Sequence, residues 1–557
     1  MNPKIKFKVI SSLEKVFPDQ EPTASKLVGN ESIFRGESYS FQIAFKIDET
    51  GGHKRVDFIP KIVCEVAKNV TVKNVSLVPC EMTCFEDRDD DYIREAQPGL
   101  YPDVISDIGC EYGLATALNT MWRSVWVEFK PDENTSSGTH SIMVEFVDEE
   151  GISYGIVGTQ VRLIEAELEK QELLFTQWFH GDCISSYYGV KTLSDRHFEL
   201  MEKFIKTAVN NGINMLLTPL FTPPLDTKIG GERPTIQLVD VTVNNGKYTF
   251  GFDNLHRFIN ICKGAGIEYY EMSHLFTQWG AKHAPKIMAT VDGEYKRIFG
   301  WETSATSDEY KAFLSEFLPK LVAFLHEEKI AETTYFHVSD EPEMGAIENY
   351  RLASLFVAEY LKGFKMMDAL SDYAFYEKGL VGNPIPSTDH IKPFLDNNVP
   401  NLWTYYCCAQ DYKVSNRFIA MSSARNRVIA AQLFKYDIKG FLHWGYNFWY
   451  SQYSTRLINP FAVTDSGCAF PAGDAFSVYP GTNGPLESIR IKVFASALYD
   501  LRAMKMLEKL VGKEEVLKII EKDIQPIEFD NAPNSEDYIL GTRLKINQAI
   551  EKALNLN

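Results

Sequence analysis

The chain has 557 residues, more than a single core usually organises, so two or three domains are expected. Hydrophobic residues make up 45% and charged residues 24%, the balance of a soluble globular protein. A net charge of −18 disfavours nucleic acid and anionic membrane as partners, and no apolar stretch is long enough for membrane insertion.

The opening "MNPKIKFKVISSLEKVFPDQEP" is broken by Lys4, Lys6, Lys8 and Lys15, so no signal-peptide core is present in it. The nine cysteines are scattered. Cys80/Cys84 and Cys407-Cys408 are the close pairs, and no histidine follows them at zinc-site spacing. These features predict reduced thiols and a cytoplasmic protein.

Residues 1–165 read as a β-sandwich. "SYSFQIAFKI", "VTVKNVSLVPCEM", "WRSVWVEFKP", "THSIMVEFVDE" and "YGIVGTQVRLIEAEL" alternate apolar with polar residues, and turn-forming segments such as "PDENTSSGTH" separate them. The acidic loop "FEDRDDDY" (85–92) lacks the glycine and ligand spacing of a calcium loop and reads as solvated.

After residue 170 strand-like and helical runs alternate, as in parallel βαβ units. The strand-like runs are 173–180, "MLLTPL", "YYEMSHL" (269–275), "TTYFHVSDEP" (333–342), "KMMDALSD", "NLWTYYCC" (401–408), "GFLHWGYNFW" (440–449) and "AFSVYPG" (475–481). About eight alternations over residues 170–510 predict a (β/α)8 TIM-like barrel, irregular near its fifth strand. A doubly wound open sheet is the alternative, without a glycine-rich phosphate loop to support it. Residues 511–557 read as a short helical extension. The expected fold is therefore a multidomain β plus α/β protein.

Such a barrel presents its site at the carboxyl ends of its strands. The runs end on carboxylates, amides and aromatics, among them Trp178, His274, Trp279, Tyr405, Trp444, Tyr446, Asn447 and Tyr479. Flat faces with fixed polar groups suit a sugar ring. Singly, each of these residues is as readily explained by packing, and His337, inside its strand, reads as a satisfied core residue.

The dipeptide Asp-Glu occurs five times, beginning at 48, 132, 148, 308 and 340. Asp308-Glu309 follows Ser307 at a helix start, where the helix dipole favours acids. Asp340-Glu341 differs: a buried strand delivers it to the rim, and Pro342 disfavours helix at Glu341. Two adjacent carboxylates do not both ionise cheaply, which provides one protonated and one ionised group near neutral pH. Neighbours in sequence do not flank a sugar ring as acid and nucleophile, but they can serve a 2-acetamido sugar whose own carbonyl oxygen attacks.

The stretches "HVSDEP", "GFLHWGYNFW", "GDAFSVYPG" and "PLESIRIKVFASALYDLRAMKML" resemble, in this order, the catalytic part of glycoside hydrolase family 123, the β-N-acetylgalactosaminidases and their bacterial homologues. "GLYPDVI" and "WRSVWVEFKP" resemble the sandwich of that group, and the likeness spans roughly 80–510. It implies exo-acting, retaining removal of terminal β-linked N-acetylgalactosamine from oligosaccharides or glycosphingolipid glycans through an oxazoline. By position, Asp340 matches the residue that stabilises the oxazolinium and Glu341 the general acid/base, with no metal or cofactor. Where the family often carries an Arg-Asp-Gly stretch in its last helix, this chain has "FASALYDL". A β-N-acetylglucosaminidase of the same mechanism and a non-catalytic carbohydrate-binding protein are the other readings. The sequence sets no oligomeric state.

Overall fold

A computed structural model describes residues 2–109 and 115–556. The N-terminal region forms two sheets over one core. The first is antiparallel, with strands 5–11, 39–47, 123–129, 70–80 and 99–107 in spatial order. The second carries strands 32–35, 153–167, 138–147, 55–62 and 115–118. Alternate residues of both face inward: Ile43, Phe45, Val125 and Val127 from one meet Phe58, Ile142, Val144 and Phe146 from the other.

Two further strands join the first sheet from far along the chain. Val478–Gly481 and Gly484–Ser488 form a hairpin, and Glu487 and Ser488 pair with Ile105 and Val104. The run 475–481 is thus not the last strand of the parallel sheet but an edge of the sandwich. Its alternation of apolar residues suits either sheet, which is why pattern alone misplaced it.

The second region is built on eight parallel strands: β1 (Leu174–Gln177), β2 (Met215–Thr218), β3 (Tyr269–Met272), β4 (Thr334–Phe336), β5 (Lys365–Ala369), β6 (Asn383–Ile385), β7 (Trp403–Tyr405) and β8 (Gly440–His443). Their spatial order is β6-β5-β4-β3-β2-β1-β8-β7, the chain order carried round a ring. The two edges come together at β6 and β7 through one parallel bridge, Ser387 to Tyr405. There Thr388 N–H donates to Tyr405 O at 2.9 Å and Tyr405 N–H to Pro386 O at 3.2 Å. The sheet is nearly closed. Strand β6, three residues with Pro384 at its centre, is too short to carry a periodic signal, and it supplies the eighth strand in place of 475–481.

The helices between strands are uneven. Asp195–Asn210 and Asp308–Glu327 are long, and each starts at a serine whose Oγ accepts an N–H from its first turn, Ser194 from His197 and Ser307 from Tyr310. The links after β5 and β6 hold only short helical segments, Ala374–Glu377 and Lys392–Asp396. Strand pairs Asp240–Asn244/Lys247–Gly251 and Ile287–Val291/Glu294–Phe299, inserted after β2 and β3, form a four-stranded sheet of their own. Gly440 has no side chain because Trp403 of the neighbouring strand lies across it; a Cβ there would stand 1.9 Å from the indole.

The two regions are pinned together by a buried ion pair. Arg490, in the first turn of helix Ile489–Val511, donates to both carboxylate oxygens of Asp103 on strand 99–107. The same guanidinium donates to Gly473 O and Phe476 O, and Tyr479 O–H donates to Asp103 Oδ2 at 2.6 Å. The acidic loop is also a structural device: Asp89 accepts two hydrogen bonds from Arg425 at 2.9 and 2.8 Å. The C-terminal helix Glu536–Leu554 packs back on the sandwich, with Arg543 on Glu37 and Asn547 on Ser32. Eight cysteines are free thiols; Cys110 lies outside the described residues.

Removing one partner of a buried pair leaves the other charge uncompensated. Arg490→Met is therefore expected to destabilise the fold by ~3–5 kcal/mol, measured by urea unfolding.

Candidate active site

At the carboxyl ends of the parallel strands lies a cavity of about 200 Å³. It is lined by Asp340 and Glu341 beyond β4, Tyr405 at the end of β7, Trp178 beyond β1, Trp279 beyond β3 and Trp444 beyond β8. This is below the ~300 Å³ at which drug-sized sites begin, and suits one small ring.

Both carboxylates are half-buried. Burial, then the charge of Glu341, pushes the Asp340 carboxyl well above its ordinary range, against the pull of the His337 cation. Burial raises Glu341 too, opposed by a hydrogen bond from Tyr405 O–H to Glu341 Oε1 at 2.6 Å. The two titrate as a pair, and the pair retains a proton above the usual carboxylate range.

Their backbone is strained. Glu341 has φ of 41° and Trp279 a φ of 60°, both in the left-handed region that non-glycine residues avoid. Pro342 disfavours right-handed helix at Glu341, and the Glu341 N–H donates to Ala369 O at 3.0 Å, at the end of β5. Trp279 N–H donates to Asp340 O at 2.7 Å, so the strained residues brace each other.

Beneath the pair lies a buried charge network. His337 donates from Nε2 to Glu271 Oε1 at 2.6 Å and from Nδ1 to Asp368 Oδ1 at 3.1 Å. With both nitrogens donating to carboxylates the ring is an imidazolium, and the two acids raise its pKa to about 10 although burial opposes the charge. Glu271 also accepts from Thr176 Oγ1 and Trp178 Nε1, and Asp368 from Tyr350 O–H and the N–H of Val338. His337 is the satisfied core residue expected from sequence, but charged.

The Trp444 wall has its own support. Trp444 Nε1 donates to Asp474 Oδ2 at 2.9 Å, and burial lifts Asp474 to about 7. His443 Nδ1 accepts from Arg417 and from Gly445 N–H, which places its proton on Nε2, 3.4 Å from Asp474 Oδ1. Gly445 is needed because a Cβ would meet Ala475 O at 2.5 Å.

Of the rim residues named from sequence, Trp178, Trp279, Tyr405 and Trp444 line the cavity with the acid pair. Four lie elsewhere. His274 is buried behind the wall, stacked on His337 at 4.3 Å and edge-on to Trp178. Tyr446 O–H donates to Phe204 O, Asn447 exchanges hydrogen bonds with the backbone of His180, and Tyr479 holds Asp103. These three brace the walls rather than face the cavity, because the chain turns away after Trp444. Asp226, in the loop after β2, was not singled out in the sequence, where "FTPPLDTK" reads as a turn. It lines the cavity, accepts Tyr453 N–H at 2.9 Å, and is raised by burial to about 6.

An acid pair at the strand ends of a parallel sheet, one carboxyl held by a tyrosine and both beside tryptophans, is an arrangement suited to glycoside hydrolysis. The sequence matches the glycoside hydrolase 123 catalytic domain over residues 178–507, and the chain belongs to that family. The family 123 glycoside hydrolase from Clostridium perfringens, a structure concerned with glycolipid glycan hydrolysis, has the same fold: TM-score 0.72 at 15% identity, covering 99% of this chain and 98% of that one. A Parabacteroides merdae β-glucuronidase (TM-score 0.32, 10% identity, 89% of this chain and 52% of that one) and a Rhizomucor miehei family 5 mannosidase (0.31, 13%, 60% and 94%) are too distant to bear on the fold. No curated protein matches the sequence.

The raised pKa of His337 has a consequence for stability. A cation favoured in the fold contributes stability that is fully present below pH 6.5, its unfolded value, and lost as pH rises through about 10. His337→Gln is expected to be less stable than the parent near pH 6, and the difference should narrow toward pH 10 in urea titrations.

Proposed function

We propose that this glycoside hydrolase is an exo-acting, retaining β-N-acetylgalactosaminidase that works by substrate assistance, on a (β/α)8 barrel whose seam lies between β6 and β7. The observation that carries the reading is the adjacency of Asp340 and Glu341 on the cavity floor, each with a different partner. An enzyme nucleophile and its acid stand on opposite faces of the sugar, ~5 Å apart. Neighbouring residues serve instead an acetamido group and the glycosidic oxygen beside it.

In this reading Glu341, turned by Tyr405, gives its proton to the leaving oxygen as the C1–O bond breaks. The acetamido carbonyl oxygen attacks C1 from the other face, and Asp340 accepts a hydrogen bond from the amide N–H as positive charge develops there. Water then attacks C1 of the oxazoline, Glu341 takes its proton, and the amide is restored with the anomeric configuration retained. The small cavity fits a terminal sugar, and Trp178, Trp279 and Trp444 offer faces for its ring.

Asp226 is the group we assign to the sugar hydroxyls. Its Oδ2 already accepts Tyr453 N–H, which fixes the carboxylate at the cavity wall. An ionised acceptor fixed in place binds a hydroxyl more strongly than a neutral one.

Aryl β-N-acetylgalactosaminide and aryl β-N-acetylglucosaminide are the deciding substrates. Faster turnover of the first, with strong inhibition by the galacto-configured thiazoline, is expected; a preference for the second would reassign the sugar. Glu341→Gln and Asp340→Asn should each lower kcat by several orders of magnitude, and undiminished turnover in either would remove that residue from its role.

Loss of a hydrogen bond to a charged group is worth ~1.5–3 kcal/mol, so Asp226→Asn should raise KM by about ten-fold or more with kcat little changed. In the parent, KM should climb as pH falls below about 6, where Asp226 takes up a proton, and the variant should lack that limb.

A further inference from the structure

The wall of the cavity holds a pair of groups that the hydrolytic chemistry does not use. Cys407 and Cys408 come directly after β7, two and three residues beyond Tyr405, and both line the cavity with Glu341 and Trp444. Both are free and half-buried. They are adjacent in the chain, and each thiol is the first influence on the other's acidity. Cys407 is held in place: its N–H and its Sγ–H both donate to Gln410 Oε1, at 2.9 and 3.3 Å, and the Gln410 amide nitrogen is anchored on Asp389.

Two neighbouring cysteines on one cavity wall, one of them fixed, form a chelating pair rather than two separate thiols. Both remain protonated: the neighbouring thiol and then burial push Cys407 up, and burial keeps Cys408 raised although Cys407 favours its thiolate. Attack by a single thiolate is therefore disfavoured. Capture by a centre that removes both protons as water is not.

We propose that Cys407 and Cys408 are a dithiol site in the sugar cavity that binds trivalent arsenicals and, by filling the cavity, shuts the enzyme off. With an arsine oxide two S–As bonds form, the As=O bond breaks, and the two thiol protons leave with its oxygen as one water. No electron is transferred. A cavity of about 200 Å³ has no room for a bridged aryl arsenic and a sugar together. The blocking half of the proposal rests on the assignment of this cavity to the sugar; the capture half does not.

The test treats the reduced full-length protein with phenylarsine oxide. Intact mass should show one bridged phenylarsenic per chain, mapping to the peptide that holds Cys407 and Cys408. Turnover should fall at least ten-fold, and return with dithiothreitol but not with an equal thiol concentration of a monothiol. Cys407→Ser and Cys408→Ser should each take up no bridged adduct and keep their own untreated rates under the reagent. Absence of the adduct, or its mapping to Cys80 and Cys84, overturns the dithiol site. An adduct on Cys407 and Cys408 with full turnover overturns the blocking. If neither aryl glycoside is hydrolysed by untreated enzyme, the sugar assignment fails on its own, and intact mass still decides the capture.

Discussion

The site depends on one buried cation. His337 lies just past the end of β4 with a carboxylate on each ring nitrogen, Glu271 from β3 and Asp368 from β5, the strands on either side. Burying a charge is costly unless it is paired and its remaining hydrogen-bond capacity is met. Here both conditions hold, and meeting them sets the geometry of three adjacent strand ends. Asp368 takes its remaining bonds from Tyr350 and from the backbone that leads to Asp340; Glu271 takes its own from Trp178 and Thr176. A tryptophan of the cavity wall and the backbone below the acid pair are thus tied to the same imidazolium. The network also has an electrostatic role. Two carboxylates and one cation carry net negative charge, so the His337 charge restrains the rise of the Asp340 pKa while Glu271 and Asp368 add to it.

A second set of buried contacts holds the opposite wall. Trp444 is fixed by Asp474, and the residues on either side of it by Arg417, which donates to the His443 ring, the Gly445 carbonyl and the Gln177 side chain. The segment that carries Asp474 runs on into the hairpin 478–488, which joins the sandwich and is tied by Tyr479 and Arg490 to Asp103. The sandwich is therefore continuous with the cavity wall: Asp103, some 370 residues before Asp474 in the chain, shares Arg490 with the turn at Gly473. The four stretches of family likeness, scattered over the sequence, converge on these two networks.

Much of this was legible beforehand. Seven of the eight parallel strands follow from apolar runs bounded by turns, and the weight given to Asp340-Glu341 over four other Asp-Glu pairs followed from its delivery by a buried strand. What could not be read has physical reasons. Strand β6 is three residues long and has no periodicity. The run 475–481 alternates as a strand should, but alternation does not name the partner sheet. Tyr446, Asn447 and Tyr479 sit in the most distinctive motifs, yet their polar atoms are spent on Phe204, His180 and Asp103. A distinctive motif marks a demanding environment, and bracing a wall is as demanding as lining a cavity. Asp226 lay in a proline-rich loop whose partner, Tyr453, is more than two hundred residues away.

The strain at Glu341 explains how adjacent residues come to face one cavity. In an extended strand, successive side chains point to opposite faces, and one of Asp340 and Glu341 would turn away from the cavity. The left-handed φ at Glu341 breaks that alternation and lets both side chains line it. Such a conformation persists only where its surroundings over-determine it. Here the Glu341 N–H is taken by Ala369, the Asp340 carbonyl by the equally strained Trp279, and the Glu341 carboxyl by Tyr405, which places β3, β5 and β7 around one peptide. The pair is thus held by contacts from three different strand ends. That arrangement gives two carboxyls that are adjacent in sequence different surroundings.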